Sequence, residues 1–144
     1  MNRRADVCAE ALTWLRTPYH HCADVKGAGV DCAMLLVAVF RSLGLVPATL
    51  DPRPYAPAWF LHRDEEQFLG WLQRHGAEVE RPQPGDVAVW KFGRCFSHGA
   101  IVISSAGDIV HSYREAGMVV RGNLKESSLA VRPVRFWQVN GVEG

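Results

Sequence analysis

Apolar and polar residues follow different periods in the two halves of the chain. In the first half, apolar residues recur at intervals of three and four, the spacing of one face of an α-helix. The spacing predicts helices over residues 3–16, 32–43 and 64–75. The second of these contains an unbroken apolar run over residues 33–40, so we expect it to be the buried central helix.

Polar residues mark the two ends of the predicted central helix. Asp31 is a typical N-cap residue, because its side chain can accept a hydrogen bond from a free backbone N–H in the first turn. Gly44 suits the C-terminal end, and Pro47 just beyond it cannot continue the helix. Cys32 would therefore lie in the first turn.

Residues 47–63 are dense in proline, which excludes both a helix and an inner strand. We predict a long ordered loop here, followed by a helix that starts at Asp64. The aromatic residues of the loop either cover the core or line a substrate groove, and core cover is the commoner role. These residues are Tyr55, Trp59 and Phe60.

The pattern becomes that of β-strands after residue 86. Short apolar or alternating runs predict strands over residues 87–90, 99–104, 108–113, 117–121 and 131–139. Tight turns separate neighbouring runs, so we expect the strands to pair antiparallel. Helices followed by an antiparallel sheet of about five strands make an α+β fold, and residues 1–144 are predicted to form a single domain.

Composition and charge exclude several classes of partner. The formal net charge is +1, whereas nucleic-acid-binding proteins usually have a strongly basic surface. No apolar run approaches the roughly 20 residues that are needed to span a bilayer. The first residues lack the apolar segment of a secretory signal. We therefore expect no nucleic-acid or membrane partner, and a chain made in the cytoplasm.

The cysteines are expected to be reduced and free of metal. None of them is arranged in a CxxC pair, and a cytoplasmic chain of this size does not need disulfides. A zinc site built from three of them and a histidine would lack the usual paired-ligand spacing. The four are Cys8, Cys22, Cys32 and Cys95.

Cys32 is the candidate nucleophile of the chain. Unpaired N–H groups and the helix dipole favour an anion at a helix start, so we expect its thiol pKa to be lowered and thiolate to form near neutral pH. The alternative is a plain core residue, since free cysteine is among the most buried residue types. His98 and His111 favour catalysis, because neighbouring strands can bring a base and an orienting group onto one face.

Five short motifs occur in the chain in a characteristic order. They are WLRTPYHH at 14–21, GVDCA at 29–33, PGDV at 84–87, FSHGAIV at 96–102 and IVHS at 109–112. Each is weak alone, but the set covers nearly the whole chain and resembles the NlpC family of papain-like cell-wall cysteine peptidases, most closely its phage-tail and prophage branch. The resemblance implies hydrolysis of an amide in peptidoglycan stem peptides, between γ-D-glutamyl and diaminopimelate or lysine, with no cofactor or metal.

The resemblance also implies roles for individual residues. Cys32 corresponds to the nucleophile, His98 to the base and His111 to the residue that orients the base. Tyr19 corresponds to a tyrosine that helps to hold the oxyanion, and Asp31 to a position that can meet the substrate's amine.

One departure from the family pattern lies beside the nucleophile. Ala33 and Met34 stand where many members have serine and glycine, so the wall that meets the amino end of the substrate is altered. Other proteins of a phage tail or related particle are the expected partners besides the stem peptide. An amidase or acyltransferase with the same catalytic set, or a non-catalytic tail or wall-binding module, would share most of these residues.

Overall fold

The described part of the chain consists mainly of helices followed by strands. The structure is a computed structural model that describes residues 2–56 and 66–143. The helices are α1 (Arg4–Leu12), α2 (Cys32–Ser42), α3 (Gln67–His75) and α4 (Ser127–Ala130), with a 3₁₀ turn at Arg114–Ala116. The strands are β1 (Asp24–Val25), β2 (Gly29–Val30), β3 (Gly76–Val79), β4 (Val87–Phe92), β5 (Cys95–Val102), β6 (Asp108–Tyr113), β7 (Met118–Asn123) and β8 (Val134–Val139).

Strands β3 to β8 form one antiparallel sheet, and β1 pairs with β2 in a small separate hairpin. The sheet has six strands in the order β3-β8-β4-β5-β6-β7. This arrangement confirms the predicted α+β class and adds a strand to the five predicted. The addition is β3: Gly76 ends α3 as predicted, but the chain continues extended from it and pairs with β8.

Helix α2 has the predicted start and nearly the predicted end. The Asp31 side chain caps it by accepting a hydrogen bond from the backbone N–H of Met34 at 2.9 Å. Gly44 follows the helix with a left-handed φ of 71°. Helix α1 is shorter than predicted, because the chain turns over residues 13–16 and Arg16 adopts a left-handed φ of 73°.

The predicted proline-rich loop lies partly outside the described residues. Residues 47–56 contain neither helix nor strand, as predicted. Trp59, Phe60 and the predicted helix start at Asp64 fall outside the described residues. Helix α3 begins at Gln67 in the described part, and the carboxylate of Glu66 accepts a hydrogen bond from the backbone N–H of Phe96 at 3.2 Å, which ties α3 to β5.

The core lies between α2 and one face of the sheet. Met34, Leu35 and Val39 of α2 are completely buried in this layer. Strand β5 approaches the helices closely at Gly99, where a Cβ atom would lie 2.8 Å from the side chains of both Leu36 and Phe68. A smaller cluster around Leu129 of α4 forms a second apolar layer. No helix of the described residues is long and apolar enough to cross a membrane.

A buried ion pair connects α1 to the turn that precedes β4. Arg4 donates a hydrogen bond to Asp86 at 2.8 Å and another to the carbonyl oxygen of Pro84 at 3.0 Å. Gly85 adopts a left-handed φ of 94° in the same turn. The PGDV motif therefore has a structural role, which is to join the N-terminal helix to the sheet.

Candidate active site

Cys32 lies at the N-terminus of α2, beside an irregularity in β5. Its thiol donates a hydrogen bond to the carbonyl oxygen of Ser97 at 3.4 Å. The register shifts here, since Trp90 pairs with His98 and Lys91 with Phe96. Ser97 is thus left without a partner in β4, as in a β-bulge. The bulge brings the backbone of β5 against the start of α2, next to His98.

His98 and His111 are joined by a hydrogen bond between His98 Nε2 and His111 Nδ1, 2.8 Å apart. His98 lines the same cleft as Cys32, whereas His111 is completely buried behind it. The ring of His111 stacks on Tyr113 with centroids 4.7 Å apart. The sequence analysis expected the two histidines on one face of neighbouring strands, and of the two only His98 lines the cleft.

The hydrogen bond between the histidines determines which nitrogen of His98 can act as a base. Nε2 is used toward His111, so Nδ1 is the nitrogen that remains for a proton from the thiol. When Nδ1 of His98 carries no proton, the ring is protonated on Nε2, and this Nε2–H donates to Nδ1 of His111. The proton of neutral His111 must then be on its own Nε2. That atom is buried and has no hydrogen-bond partner among the described residues.

The pKa shift of Cys32 is opposite to the sequence-based expectation. Burial, together with the nearby charge of Asp31, raises the pKa of the Cys32 thiol to about 12. The backbone N–H groups of the first turn act in the expected lowering direction, but burial is the larger effect. Burial also lowers the pKa of His98 well below its ordinary value. The direction of the Cys32 shift contradicts the expected lowering of its pKa, and both shifts favour the neutral forms of the two groups.

Tyr19 lines the cleft together with Cys32. Burial raises the pKa of its phenol, and the charges of Cys32 and Asp31 raise it further by smaller amounts. The hydroxyl therefore stays protonated and can donate a hydrogen bond. A residue that holds an oxyanion must supply such a donor. That role for Tyr19 remains a prediction.

Asp31 is almost completely buried, and its carboxylate is already well occupied. One oxygen accepts the capping hydrogen bond from Met34. The other accepts from the backbone N–H of Cys22 and from the hydroxyl of Tyr55, each at 2.7 Å. Contact with a substrate amine would have to compete with these bonds, so that role remains a prediction.

The cleft has a volume of about 360 Å³ and is lined by residues from both halves of the chain. The sequence analysis favoured core cover over a groove for Tyr55, but Tyr55 lines the cleft and also bonds to Asp31, a bond that sequence reasoning did not anticipate. No local motif marks that position, because its only distinguishing sequence feature is an aromatic side chain in a proline-rich loop. The lining includes Tyr19, His21, Asp31, Cys32, Tyr55, Ser97, His98, Tyr113, Arg114 and Glu115.

One group of potential metal ligands lies at the rim of this cleft among the described residues. It consists of His21, Cys22 and Asp31, whose ligand atoms lie within 4.8 Å of one another. The sequence analysis predicted no metal site.

Comparison with known proteins shows similarity of fold. No family model and no curated protein matches the chain. NlpC2 from Trichomonas vaginalis superposes with a TM-score of 0.71 at 14% identity, over 96% of this chain and 46% of that one. The NlpC/p60 domain of the peptidoglycan hydrolase SagA gives 0.59 at 18% identity, over 94% and 97%. An NlpC/p60 family protein from Bacillus cereus gives 0.62 at 22% identity, over 91% and 39%.

These similarities confirm the predicted papain-like fold class and no finer property. The chain spans less than half the length of the two Trichomonas vaginalis proteins, NlpC1 and NlpC2, at 45% and 46%. The neighbours described above are NlpC/p60 domains at low sequence identity, and they do not show the phage-tail branch.

Proposed function

We propose that the protein is a cysteine peptidase that hydrolyses an amide in peptidoglycan stem peptides, with the bond between γ-D-glutamyl and diaminopimelate as its target. The observation that carries the proposal is a single cleft that holds a thiol at a helix N-terminus and a histidine bonded to a second histidine. The peptidoglycan hydrolase SagA, whose domain has the same fold, supports the substrate class.

The proposed reaction begins with neutral Cys32 and neutral His98. As Sγ attacks the amide carbonyl carbon, the thiol proton passes to Nδ1 of His98, and the negative charge moves to the carbonyl oxygen. The backbone N–H of Cys32 and the hydroxyl of Tyr19 are the candidate donors to that oxygen. One such donor lowers the barrier by roughly 3 kcal/mol.

The second half of the reaction returns the proton. Protonated His98 donates it to the leaving amine, the C–N bond breaks and a thioester on Cys32 remains. Water then attacks the thioester, with His98 accepting its proton, and the carboxylic acid and the free thiol are released. His111 keeps the His98 ring oriented throughout by accepting the hydrogen bond from its Nε2–H.

The charged groups at one rim of the cleft suit a zwitterionic substrate. Arg114 and Glu115 are both exposed and both line the cleft. Diaminopimelate carries ammonium and carboxylate groups, so it can pair with both side chains. This rim, rather than Asp31 and Ala33, is the proposed source of specificity, because Asp31 is already hydrogen-bonded and Ala33 has no hydroxyl.

Mass spectrometry of digested muropeptides tests the proposal. Purified muropeptides are incubated with the wild-type protein and with Cys32→Ala. With the wild type we expect two products whose summed masses exceed the substrate by one water and whose fragments place the cleavage after γ-D-glutamyl, and with Cys32→Ala we expect neither product. Fragments joined to a new amine would identify an acyltransferase, and unchanged muropeptides would indicate a non-catalytic module.

We also propose that the protein acts in a phage tail or related particle. The support for this location is the resemblance of the motif set to the phage-tail and prophage branch. Peptide mass spectrometry of purified particles from a producing host should detect the chain. Particles that lack it, from a host that expresses it, would contradict the location.

A further inference from the structure

The turn before β1 holds a cysteine in a backbone conformation that ordinarily suits glycine. Cys22 has a left-handed φ of 61°. This conformation costs a non-glycine residue on the order of 1 kcal/mol or more. Its backbone is nevertheless held at both ends, by the bond from its N–H to Asp31 and by a bond from Arg53 to its carbonyl oxygen at 3.0 Å. The backbone of Cys22 therefore has a fixed position.

Three atoms with lone pairs meet at this turn. Sγ of Cys22 lies 3.2 Å from Nε2 of His21, and that nitrogen lies 2.8 Å from the carbonyl oxygen of Tyr55. The third side of the triangle, from Sγ to the carbonyl oxygen, measures 3.7 Å. Neighbouring ligands of a tetrahedral zinc ion lie roughly 3.4–3.6 Å apart, so the two contacts of Sγ are near that spacing, while the N–O contact must lengthen by about 0.6 Å on binding.

A negative charge lies next to the triangle. One carboxylate oxygen of Asp31 lies within 4.8 Å of Sγ of Cys22 and of a ring nitrogen of His21, and Oδ2 of Asp31 is 3.9 Å from Nδ1 of that ring. A Cys22 thiolate and this carboxylate would together balance the charge of a divalent cation. Thiolate and imidazole ligands favour zinc over magnesium or calcium.

We propose that His21, Cys22 and the carbonyl oxygen of Tyr55 bind a thiophilic divalent cation, for which Zn²⁺ is the best fit, beside the Asp31 carboxylate. Binding replaces the proton of the Cys22 thiol, which passes to the solvent, and it requires the His21 tautomer that carries its proton on Nδ1. The fourth ligand is water. His21, Asp31 and Tyr55 also line the cleft of Cys32, so the bound cation lies in its wall.

The cation would also affect catalysis, a consequence that rests on the proposed function. A cation in the wall of the cleft competes with the substrate for the same space and draws charge density from Asp31. We therefore expect Zn²⁺ to inhibit hydrolysis and a chelator to restore it. In this inference the site is inhibitory and has no part in the chemical step.

Titration of the 144-residue chain with Co²⁺ tests the site without reference to hydrolysis. The wild type should bind one Co²⁺ and develop a thiolate-to-cobalt charge-transfer band that Zn²⁺ removes. Cys22→Gly should lose the band and bind Zn²⁺ at least tenfold more weakly, while glycine preserves the fold because it suits the backbone conformation. His21→Ala should also weaken Zn²⁺ binding at least tenfold.

Two variants serve as matched controls for the thiol. Cys8→Ser and Cys32→Ala should each retain the band. Absence of the band in the wild type, its persistence in Cys22→Gly, or its loss in Cys32→Ala would each overturn the inference. Because the band is measured in the absence of substrate, these outcomes are independent of whether the protein hydrolyses peptidoglycan.

Discussion

Nε2 of His98 lies 2.8 Å from Nδ1 of His111, and this contact assigns different tasks to two residues of the same type. His98 lines the cleft and has Nδ1 available for a proton, whereas His111 is buried and can act only through His98. The first is a proposed base, and the second is a positioning residue.

Replacement of the two histidines should therefore have unequal effects on hydrolysis. His98→Ala removes the base, so we expect kcat/KM to fall by about 10²- to 10⁴-fold. His111→Ala should reduce it less, and His111→Asn should restore part of the loss, because an asparagine carbonyl can accept the same hydrogen bond. Steady-state kinetics on a stem peptide measures all three. Equal losses in His98→Ala and His111→Asn would contradict this division of roles.

The alkylation rate of Cys32 should depend on pH in a way that reflects its raised pKa. Since that pKa is raised to about 12, the thiolate fraction grows tenfold for each pH unit through the neutral range. We expect the rate to increase steadily from about pH 6 to pH 10 without a plateau. Peptide mapping by mass spectrometry separates this thiol from the others. A plateau reached below about pH 7 would instead indicate a standing thiolate.

Acid should destabilise the fold through the buried histidines. Burial lowers the pKa of His111 to about 4, below its ordinary value of 6.5, so the unfolded chain binds more protons between these values. Stability is therefore complete above about pH 6.5 and is lost as the pH falls toward 4, by on the order of 3 kcal/mol. Urea unfolding at several pH values measures the slope of the free energy of unfolding against pH. His111→Asn should make this slope smaller. An unchanged slope in that variant would contradict the assignment of the pH dependence to His111.

The buried pair Arg4–Asp86 should contribute far more to stability than a surface pair of the same length. Arg4→Met leaves the Asp86 carboxylate buried without its cation and should cost about 3–5 kcal/mol. Arg3 and Asp6 are also 2.8 Å apart, but their side chains are 31% and 54% exposed. Asp6→Asn is thus the matched control and should cost less than about 1 kcal/mol. Thermal unfolding measures both losses of stability, and similar losses in Arg4→Met and Asp6→Asn would refute this distinction.

The features that follow from local chemistry could be predicted from the sequence. Apolar spacing and the capping side chain of Asp31 predict α2 and place Cys32 in its first turn. Alternation and a turn between β5 and β6 predict that His98 and His111 lie near each other. These features depend on residues that are close together in the sequence, so contacts with distant segments change them little.

Other features arise only when distant segments meet. The bulge at Ser97 depends on the pairing of β5 with β4, and the raised pKa of Cys32 depends on how deeply the sheet buries it. Tyr55 reaches Asp31 from a loop more than 20 residues away. The group at Cys22 depends on a left-handed backbone angle at a residue that rarely adopts one.

The proposed activity depends above all on the thiol of Cys32, and the most direct test is the rate of stem-peptide hydrolysis by Cys32→Ala. The assay measures release of the new amine from one defined peptide, with Cys8→Ser as the matched control that removes a different thiol. We expect Cys32→Ala to lose on the order of 10⁴-fold or more in kcat/KM, while Cys8→Ser stays near the wild type. Hydrolysis by Cys32→Ala within about tenfold of the wild-type rate would contradict the assignment of Cys32 as the nucleophile.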